Sequence, residues 1–279
     1  METSLQLANI LKGRDRFLPP ATPSKRAEVY YREALADFIR AMVNRLTDAL
    51  SKKKLTDAVA ISDDDYIDAL IATLSSIAGE RMEGKAEKLA KNFANKVQFQ
   101  NKDQFKRNFN NAFGVDIGSV IDKEVLGDTM TAAISENVSL IQSIKTDFIN
   151  DIGSNVFTRF KKGFRHADMI NEIRERGNVT YSRAKLIARD QTAKLNAAFE
   201  EERSIKLGFD EYVWQGTGDE RERESHRVLN GMLCKYSDPT IYSDDDGKTW
   251  KKRSTIGAFI GKPGEDYQCR CLKKSRIRF

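Results

Sequence analysis

The feature that most constrains this chain is an apolar repeat at steps of three and four residues, which runs from about residue 24 to about residue 206. Such a repeat places apolar side chains along one face of an α-helix, and proline would interrupt it. The 279 residues include only five prolines, and none lies between Pro23 and Pro239. We therefore predict that this stretch forms helix after helix, packed as a bundle.

Capping and breaking residues divide the repeat into separate helices. Pro23 and Ser24 can open the first helix, and Thr180 is expected to cap the last. Gly177 is expected to stop a short helix before it. The predicted helices cover residues 24–50, 62–79, a polar stretch near 89–109, 128–160, 166–176 and 180–206.

Composition and charge exclude several classes of protein. No run of about eighteen apolar residues occurs, so no membrane-spanning helix is predicted. Arg14, Asp15 and Arg16 directly follow the short apolar stretch at the start, which argues against a cleaved signal peptide. Three cysteines are an odd number, so a reducing cytoplasm is expected during folding rather than a secreted disulfide framework. The net charge of +6 permits salt-sensitive contact with nucleic acid.

Strand and turn signals replace the helical repeat after Gly208. Residues 211–214 read as a strand, and Gly216 and Gly218 indicate a turn after it. Residues 243–250 match the hairpin known as the Asp-box, Ser-x-Asp-x-Gly-x-Thr-Trp, which is a structural turn without an activity. The chain is thus expected to be mainly α, with a long-helix N-terminal body and a small C-terminal α+β module.

A short polar helix is predicted over residues 219–230, capped by Asp219 and closed by Gly231. Asp219, Arg223 and His226 recur there at steps of four and three, which would place them on one side of the helix. We expect this helix to lock the tryptophan strand to the C-terminal cysteines, with Trp214 buried between them.

Three features follow one another in this module in a fixed order. A tryptophan comes first, then an arginine-rich segment that ends in a histidine, then a Pro-Gly segment that leads into Cys-Arg-Cys. The residues that carry the pattern are Trp214, Gly218, Asp219, Arg221, Arg223, His226, Gly231, Pro263, Gly264, Cys269, Arg270 and Cys271. The order resembles the Mu F-like domain of tailed-phage head morphogenesis proteins. Residues 183–192 also resemble the helix that precedes the tryptophan strand in that family, so the resemblance covers roughly residues 130–275.

The resemblance implies a minor structural protein of a phage head, and not an enzyme. Its expected partners are the portal protein, the major capsid and scaffolding proteins, and packaged double-stranded DNA, with no membrane partner during assembly. Its expected location is the interior of the virion head at the portal vertex, after synthesis in the host cytoplasm. We accordingly divide the chain into a variable helical region (1–125), the helical part of the Mu F-like domain (126–208) and the compact α+β module (209–279).

The cysteines and one histidine suggest a metal site. His226, Cys234, Cys269 and Cys271 include every cysteine of the chain, and one histidine with three cysteines is a set that a tetrahedral structural zinc accepts. The spacing argues the other way, because one residue separates Cys269 from Cys271, and Cys234 is not part of the family pattern. The alternative is a buried, hydrogen-bonded histidine beside two cysteines packed as small apolar residues on a strand.

A double-stranded DNA-binding module is one competing function. The basic residues after the last cysteine favour it, and its affinity would fall steeply as salt rises. These residues are Lys273, Lys274, Arg276 and Arg278.

A metal-dependent phosphodiester enzyme is the other competing function. It would use His226 as base or metal ligand, with Asp219 or Glu224 as partner. The sequence offers no second set of metal ligands, no nucleophile elbow and no phosphate-binding loop, so catalysis is not expected.

Overall fold

The computed structural model describes residues 16–56, 63–81, 83–124, 126–160 and 166–277. Over these ranges the helices are α1 (Lys25–Thr56), α2 (Asp63–Gly79), α3 (Glu83–Phe113), α4 (Gly118–Ile121), α5 (Gly127–Phe160), α6 (His166–Lys206) and α7 (Glu224–Arg227). The strands are β1 (Arg16–Leu18), β2 (Glu211–Gln215), β3 (Leu233–Lys235), β4 (Ile241–Tyr242), β5 (Lys251–Lys252) and β6 (Leu272–Ile277). The predicted fold class, mainly α with a small C-terminal α+β part, is confirmed.

The long helices form where the apolar repeat predicts them, and their apolar faces are buried. In α3, for example, Phe93, Val97, Phe105 and Phe109 recur at helical spacing and are almost fully buried. None of the helices in the described ranges is long and apolar enough to cross a bilayer.

The predicted helix end at Gly177 is wrong, because α6 continues through this residue. A Cβ atom at Gly177 would lie 2.7 Å from Cγ2 of Val43 in α1, so the glycine allows two helices to approach closely instead of ending one. Thr180 does not cap a new helix either. Its hydroxyl donates a hydrogen bond to the carbonyl of Arg176 one turn earlier, at 2.9 Å, which threonine can do inside a helix.

The chain divides into two compact units, each assembled from discontinuous stretches. The first unit contains residues 1–27, 94–132 and 190–279, and the second contains residues 28–93 and 133–189. Within the second unit, Tyr31 of α1 stacks on Phe93 of α3 with ring centroids 4.1 Å apart. The division into 1–125, 126–208 and 209–279 stays a prediction from the sequence.

An antiparallel sheet in the order β1-β6-β2-β3 organises the first unit. Trp214 of β2 lies opposite Lys273 of β6, and Tyr212 of β2 lies opposite Cys234 of β3. β1 pairs with the outer side of β6, so a segment from the start of the chain forms one edge of the C-terminal sheet.

The hydrophobic core of the first unit joins this sheet to α3. Phe109 of α3 and Trp214 of β2 belong to one buried cluster, and Phe109 meets Phe209 edge to face at 6.4 Å. The α+β module therefore uses β1 and α3 in addition to residues 209–279.

The hairpin predicted over residues 243–250 is present between β4 and β5. The Ser243 hydroxyl donates to Asp245 at 2.7 Å, and the Gly247 N–H donates back to that hydroxyl at 2.8 Å. Asp245 also accepts hydrogen bonds from Thr249, so side-chain contacts fix the turn.

Candidate functional site

The centre of the motif is a buried cluster of His226, Cys269 and Cys271. His226 belongs to α7 and is 2% exposed. Its Nδ1 atom lies 3.6 Å from Sγ of Cys269 and 3.5 Å from Sγ of Cys271. The ligand-type atoms of the three side chains all lie within 4.8 Å of one another. Two of the cysteines expected at a metal site thus converge on the histidine.

An acidic residue holds the opposite side of the imidazole. Nε2 of His226 lies 3.1 Å from Oδ2 of Asp266, so the ring nitrogen donates to this carboxylate. Arg223 fixes Asp266 by an ion pair at 3.1 Å and donates to the carbonyl of Tyr267 at 2.8 Å. Arg223 therefore positions the carboxylate that orients the histidine.

The three buried side chains shift one another's pKa values in different directions. The contact with Cys269 raises the pKa of His226, burial opposes that rise, and the charge of Asp266 supports it. The contact with Cys271 lowers the pKa of Cys269, and the neighbouring His226 supports this effect. The pKa of Cys271 is raised by Cys269 and by burial. The pKa of the Cys269 thiol is thus lower than that of the Cys271 thiol.

Asp219 and Arg270 form a second pair within the motif. The two terminal nitrogens of Arg270 both bind the carboxylate of Asp219, one of them at 2.6 Å, and this contact lowers the pKa of Asp219 to about 2. The pair connects the arginine-rich segment directly to Cys-Arg-Cys.

The predicted helix over residues 219–230 is shorter than expected, because α7 covers only Glu224–Arg227. Arg223 precedes it in extended conformation, and the carboxylate of Glu222 turns back to accept the N–H of Gly218 at 2.7 Å. Asp219 accepts the N–H of Arg221 in a turn rather than capping a helix. Asp219 and Arg223 consequently bind different partners instead of facing each other.

Trp214 is buried completely, as expected for a residue between β2 and the cysteine segment. Its ring meets His226 edge to face at 5.5 Å, and the guanidinium of Arg253 lies 5.4 Å from its centroid. The motif order predicts that Trp214, His226 and Cys269 lie together, and the three side chains do form one packed unit.

The Pro263-Gly264 segment brings the cysteines against α6. Gly264 has a φ of +93°, and a Cβ there would lie 2.4 Å from Cβ of Ala197. Its N–H donates to Sγ of Cys269 at 3.4 Å. Gly218 and Gly231 also adopt positive φ, of 69° and 81°, at the turns before and after α7.

Cys234 is not a member of the cluster. It lies on β3 opposite Tyr212, and its thiol donates to the carbonyl of Met232 at 3.8 Å. Burial raises the pKa of this thiol to about 11. The prediction that Cys234 joins His226, Cys269 and Cys271 at a metal site is therefore wrong, because strand pairing holds Cys234 on β3. Cys269 and Cys271 also precede β6 rather than lying on a strand.

The basic residues after Cys271 do not form one exposed DNA-binding surface. Lys273 is 1% exposed and binds Glu201 at 2.7 Å, and Arg276 is 4% exposed and binds Asp246 at 2.5 Å. The two residues are three positions apart on β6 and so point to opposite faces of the sheet, and each is buried against an acidic residue. Lys274 is exposed and lies over the ring of Phe17, whereas Arg278 lies outside the described residues.

Sequence reasoning missed two residues that hold the module together. Arg253 is fully buried and donates to the carbonyls of Ile241, Phe259 and Gly261. Asp190 of α6 accepts the N–H of Gln268 at 2.5 Å, directly before the first motif cysteine. Asp190 falls within residues 183–192, so the resemblance of that helix was a signal for it, whereas nothing in the sequence marks Arg253.

These contacts define a small structural module whose motif residues bind one another. Residues 150–273 match the family described as Phage Mu protein F like protein, which confirms the resemblance to phage Mu F-like head morphogenesis proteins. An uncharacterized protein of Haemophilus influenzae is 29% identical over 270 residues, which cover 94% of this chain and 56% of that protein. The chain thus spans about half the length of this relative. No solved structure gives a significant match.

Proposed function

We propose that this chain is a minor structural protein of a tailed-phage head that acts in head morphogenesis at or near the portal vertex. The observation that carries the proposal is the family match over residues 150–273, which contains the whole arginine–histidine–cysteine motif. Strand β1, which pairs with β6, lies outside the matched residues. In this module Asp219 binds Arg270, and Arg223 binds Asp266. Residues that an enzyme would use as acids or bases are thus engaged in contacts that hold the module together.

The portal protein is the main partner in this proposal. The major capsid and scaffolding proteins are further partners, and the protein resides in the interior of the virion head. Arg221 supports a docking role, because it is a charged residue of the motif that is exposed, whereas Arg223 and Arg270 are engaged within the module. Contact with packaged DNA is a subsidiary part of the proposal, supported by the net charge of +6.

The test is incorporation into assembling heads. The tagged chain is produced together with the cognate portal, scaffolding and capsid proteins, particles are separated on a gradient, and each protein is quantified by mass spectrometry. We expect a few copies per particle, recovered together with portal. Recovery only in the free fraction, or with a soluble host enzyme complex, would contradict the proposal.

A pair of neighbouring exposed residues sharpens this test. Arg221→Ala should reduce incorporation while the module stays folded, because it removes a charge on the surface, and Glu220→Ala serves as the matched control. Equal incorporation of both variants would refute the docking role of Arg221. Duplex binding that falls steeply with salt in the absence of portal would favour the DNA-binding alternative instead.

A further inference from the structure

We propose that His226, Cys269 and Cys271 bind one structural Zn²⁺ ion, with Glu222 as the fourth ligand. The three convergent side chains are all buried, and each presents one ligand atom to the same small volume. Two thiols and an imidazole form a donor set that zinc prefers.

The distances fit a tetrahedral ion. With zinc bonds of about 2.0 Å to nitrogen and 2.3 Å to sulfur, a tetrahedral site separates the nitrogen from the sulfur by about 3.5 Å. Nδ1 of His226 lies 3.6 Å from the sulfur of Cys269 and 3.5 Å from that of Cys271. Oε1 of Glu222 lies 3.9 Å from the sulfur of Cys271, close to the spacing of about 3.6 Å that a carboxylate ligand would have. Glu222 is not among the side chains whose ligand atoms all lie within 4.8 Å of one another, so its carboxylate would have to move towards His226 and Cys269 to complete the coordination.

Hydrogen bonds alone cannot pair Nδ1 of His226 with both sulfurs at once. A neutral imidazole nitrogen offers either one lone pair or one hydrogen, yet two sulfurs converge on Nδ1 of His226. Nε2 donates to Asp266, which leaves Nδ1 with its lone pair in the tautomer that a metal ion requires. One cation in front of Nδ1 would satisfy the nitrogen and both sulfurs together.

The surroundings resemble the outer shell of a zinc site. A histidine that binds zinc commonly donates its other ring N–H to a carboxylate, and Asp266 occupies that position with Arg223 behind it. The N–H of Gly264 points at the sulfur of Cys269. The indole N–H of Trp214 is buried and finds no hydrogen-bond acceptor among the described residues. The N–H of Gly264 therefore favours the sulfur of Cys269 as a metal-bound thiolate, and this indole N–H lies beside the same cluster.

Zinc at this point would tie together parts of the chain that are far apart in sequence. Glu222 and His226 belong to the segment around α7, and the cysteines come more than 40 residues later. The ion would therefore fix the contact between this segment and the cysteine segment, beside the buried Trp214. This role is structural and independent of the proposed function, because it concerns how the module is held and not what it binds.

The first experiment measures zinc in the full chain, purified under reducing conditions without chelator. We expect about one zinc per chain by elemental analysis. Replacement by Co²⁺ should give the visible absorption of a tetrahedral site with thiolate-to-cobalt charge transfer. Wild-type protein that lacks stoichiometric zinc after purification and after addition of Zn²⁺, or that contains a Cys269–Cys271 disulfide instead, would overturn the proposal.

Variants separate metal binding from folding. Cys269→Ser and Cys271→Ser should lose stoichiometric zinc, and circular dichroism checks that the helices remain. Cys234→Ser is the matched control, since Cys234 is buried but lies outside the cluster. It should keep one zinc, and zinc loss in this variant equal to that in Cys269→Ser would overturn the proposal.

Affinity measurements test the outer shell and the fourth ligand. Asp266→Asn keeps all ligands, and we expect its zinc affinity to fall about 10- to 100-fold in a chelator competition. Glu222→Gln should also bind zinc more weakly and change the cobalt spectrum. Unchanged affinity and spectrum in Glu222→Gln would overturn the assignment of the fourth ligand, and unchanged affinity in both variants would overturn the site.

Discussion

Replacing Arg253 should destabilise the first unit more than replacing any exposed arginine. The guanidinium is fully buried and donates to three backbone carbonyls and to the hydroxyl of Tyr212, at 3.3 Å. Each such hydrogen bond contributes about 1 kcal/mol, and a buried acceptor left without a donor costs about 1–3 kcal/mol. Arg253→Met retains much of the apolar bulk, so the expected loss is about 3–5 kcal/mol in the free energy of unfolding.

Tryptophan fluorescence during urea denaturation measures this effect selectively. Both tryptophans of the chain, Trp214 and Trp250, lie in the first unit, so the signal reports on that unit. Arg221→Met is the matched control, since Arg221 is exposed and its replacement should change stability by less than about 0.5 kcal/mol. Arg253→Lys should lie between the two, because lysine keeps the charge but cannot reach all the acceptors. A change below about 1 kcal/mol in Arg253→Met would refute the reasoning.

Two further predictions concern Glu200 and the glycines of the long helices. Burial raises the pKa of Glu200 to about 8, so the folded chain holds a proton that the unfolded chain has lost, and stability should fall as pH rises from about 5 to 8. In the wild-type chain, this fall in the free energy of unfolding between pH 5 and pH 8 should be on the order of 3 kcal/mol, measured by urea denaturation at both pH values. Glu200→Gln should reduce the fall, and an equal fall in the variant would contradict a raised pKa of Glu200. Gly177→Ala should destabilise the helices by about 1–2 kcal/mol through its clash with Val43, whereas Gly153→Ala, with open space at its Cβ, should stabilise them by up to about 1 kcal/mol. Thermal denaturation followed by circular dichroism compares the two, and a stabilised Gly177→Ala variant would contradict the close approach.

Part of the fold could be predicted because its signals are local. Helical periodicity depends on residues three and four apart, so the sequence indicates the long helices and the tryptophan strand correctly. The hairpin over residues 243–250 is equally local, since Ser243, Asp245 and Thr249 bind one another within a single turn. These elements are determined by the sequence itself.

The helix boundaries at Gly177 and Asp219 were wrong for a common reason. Glycine often ends a helix because it adopts the left-handed conformation easily, but it also occurs inside a helix where another helix comes close, and here Val43 lies 2.7 Å from the position of a Cβ at Gly177. Asp219 caps a helix only when no stronger partner competes, and here Arg270 binds it with two nitrogens. Val43 and Arg270 are distant in sequence from the residues they contact, so no local sequence pattern predicts these contacts.

The site shows the same division between local and distant information. The sequence alone determines the order of the motif and the nearness of Cys269 to Cys271, because these residues are close along the chain. Only the tertiary structure decides that His226 faces both thiols, that Cys234 is held on β3, and that Lys273 is buried against Glu201. The physical reason is that burial and charge pairing depend on which strands and helices pack together, and that packing brings into contact residues that are tens of positions apart in sequence.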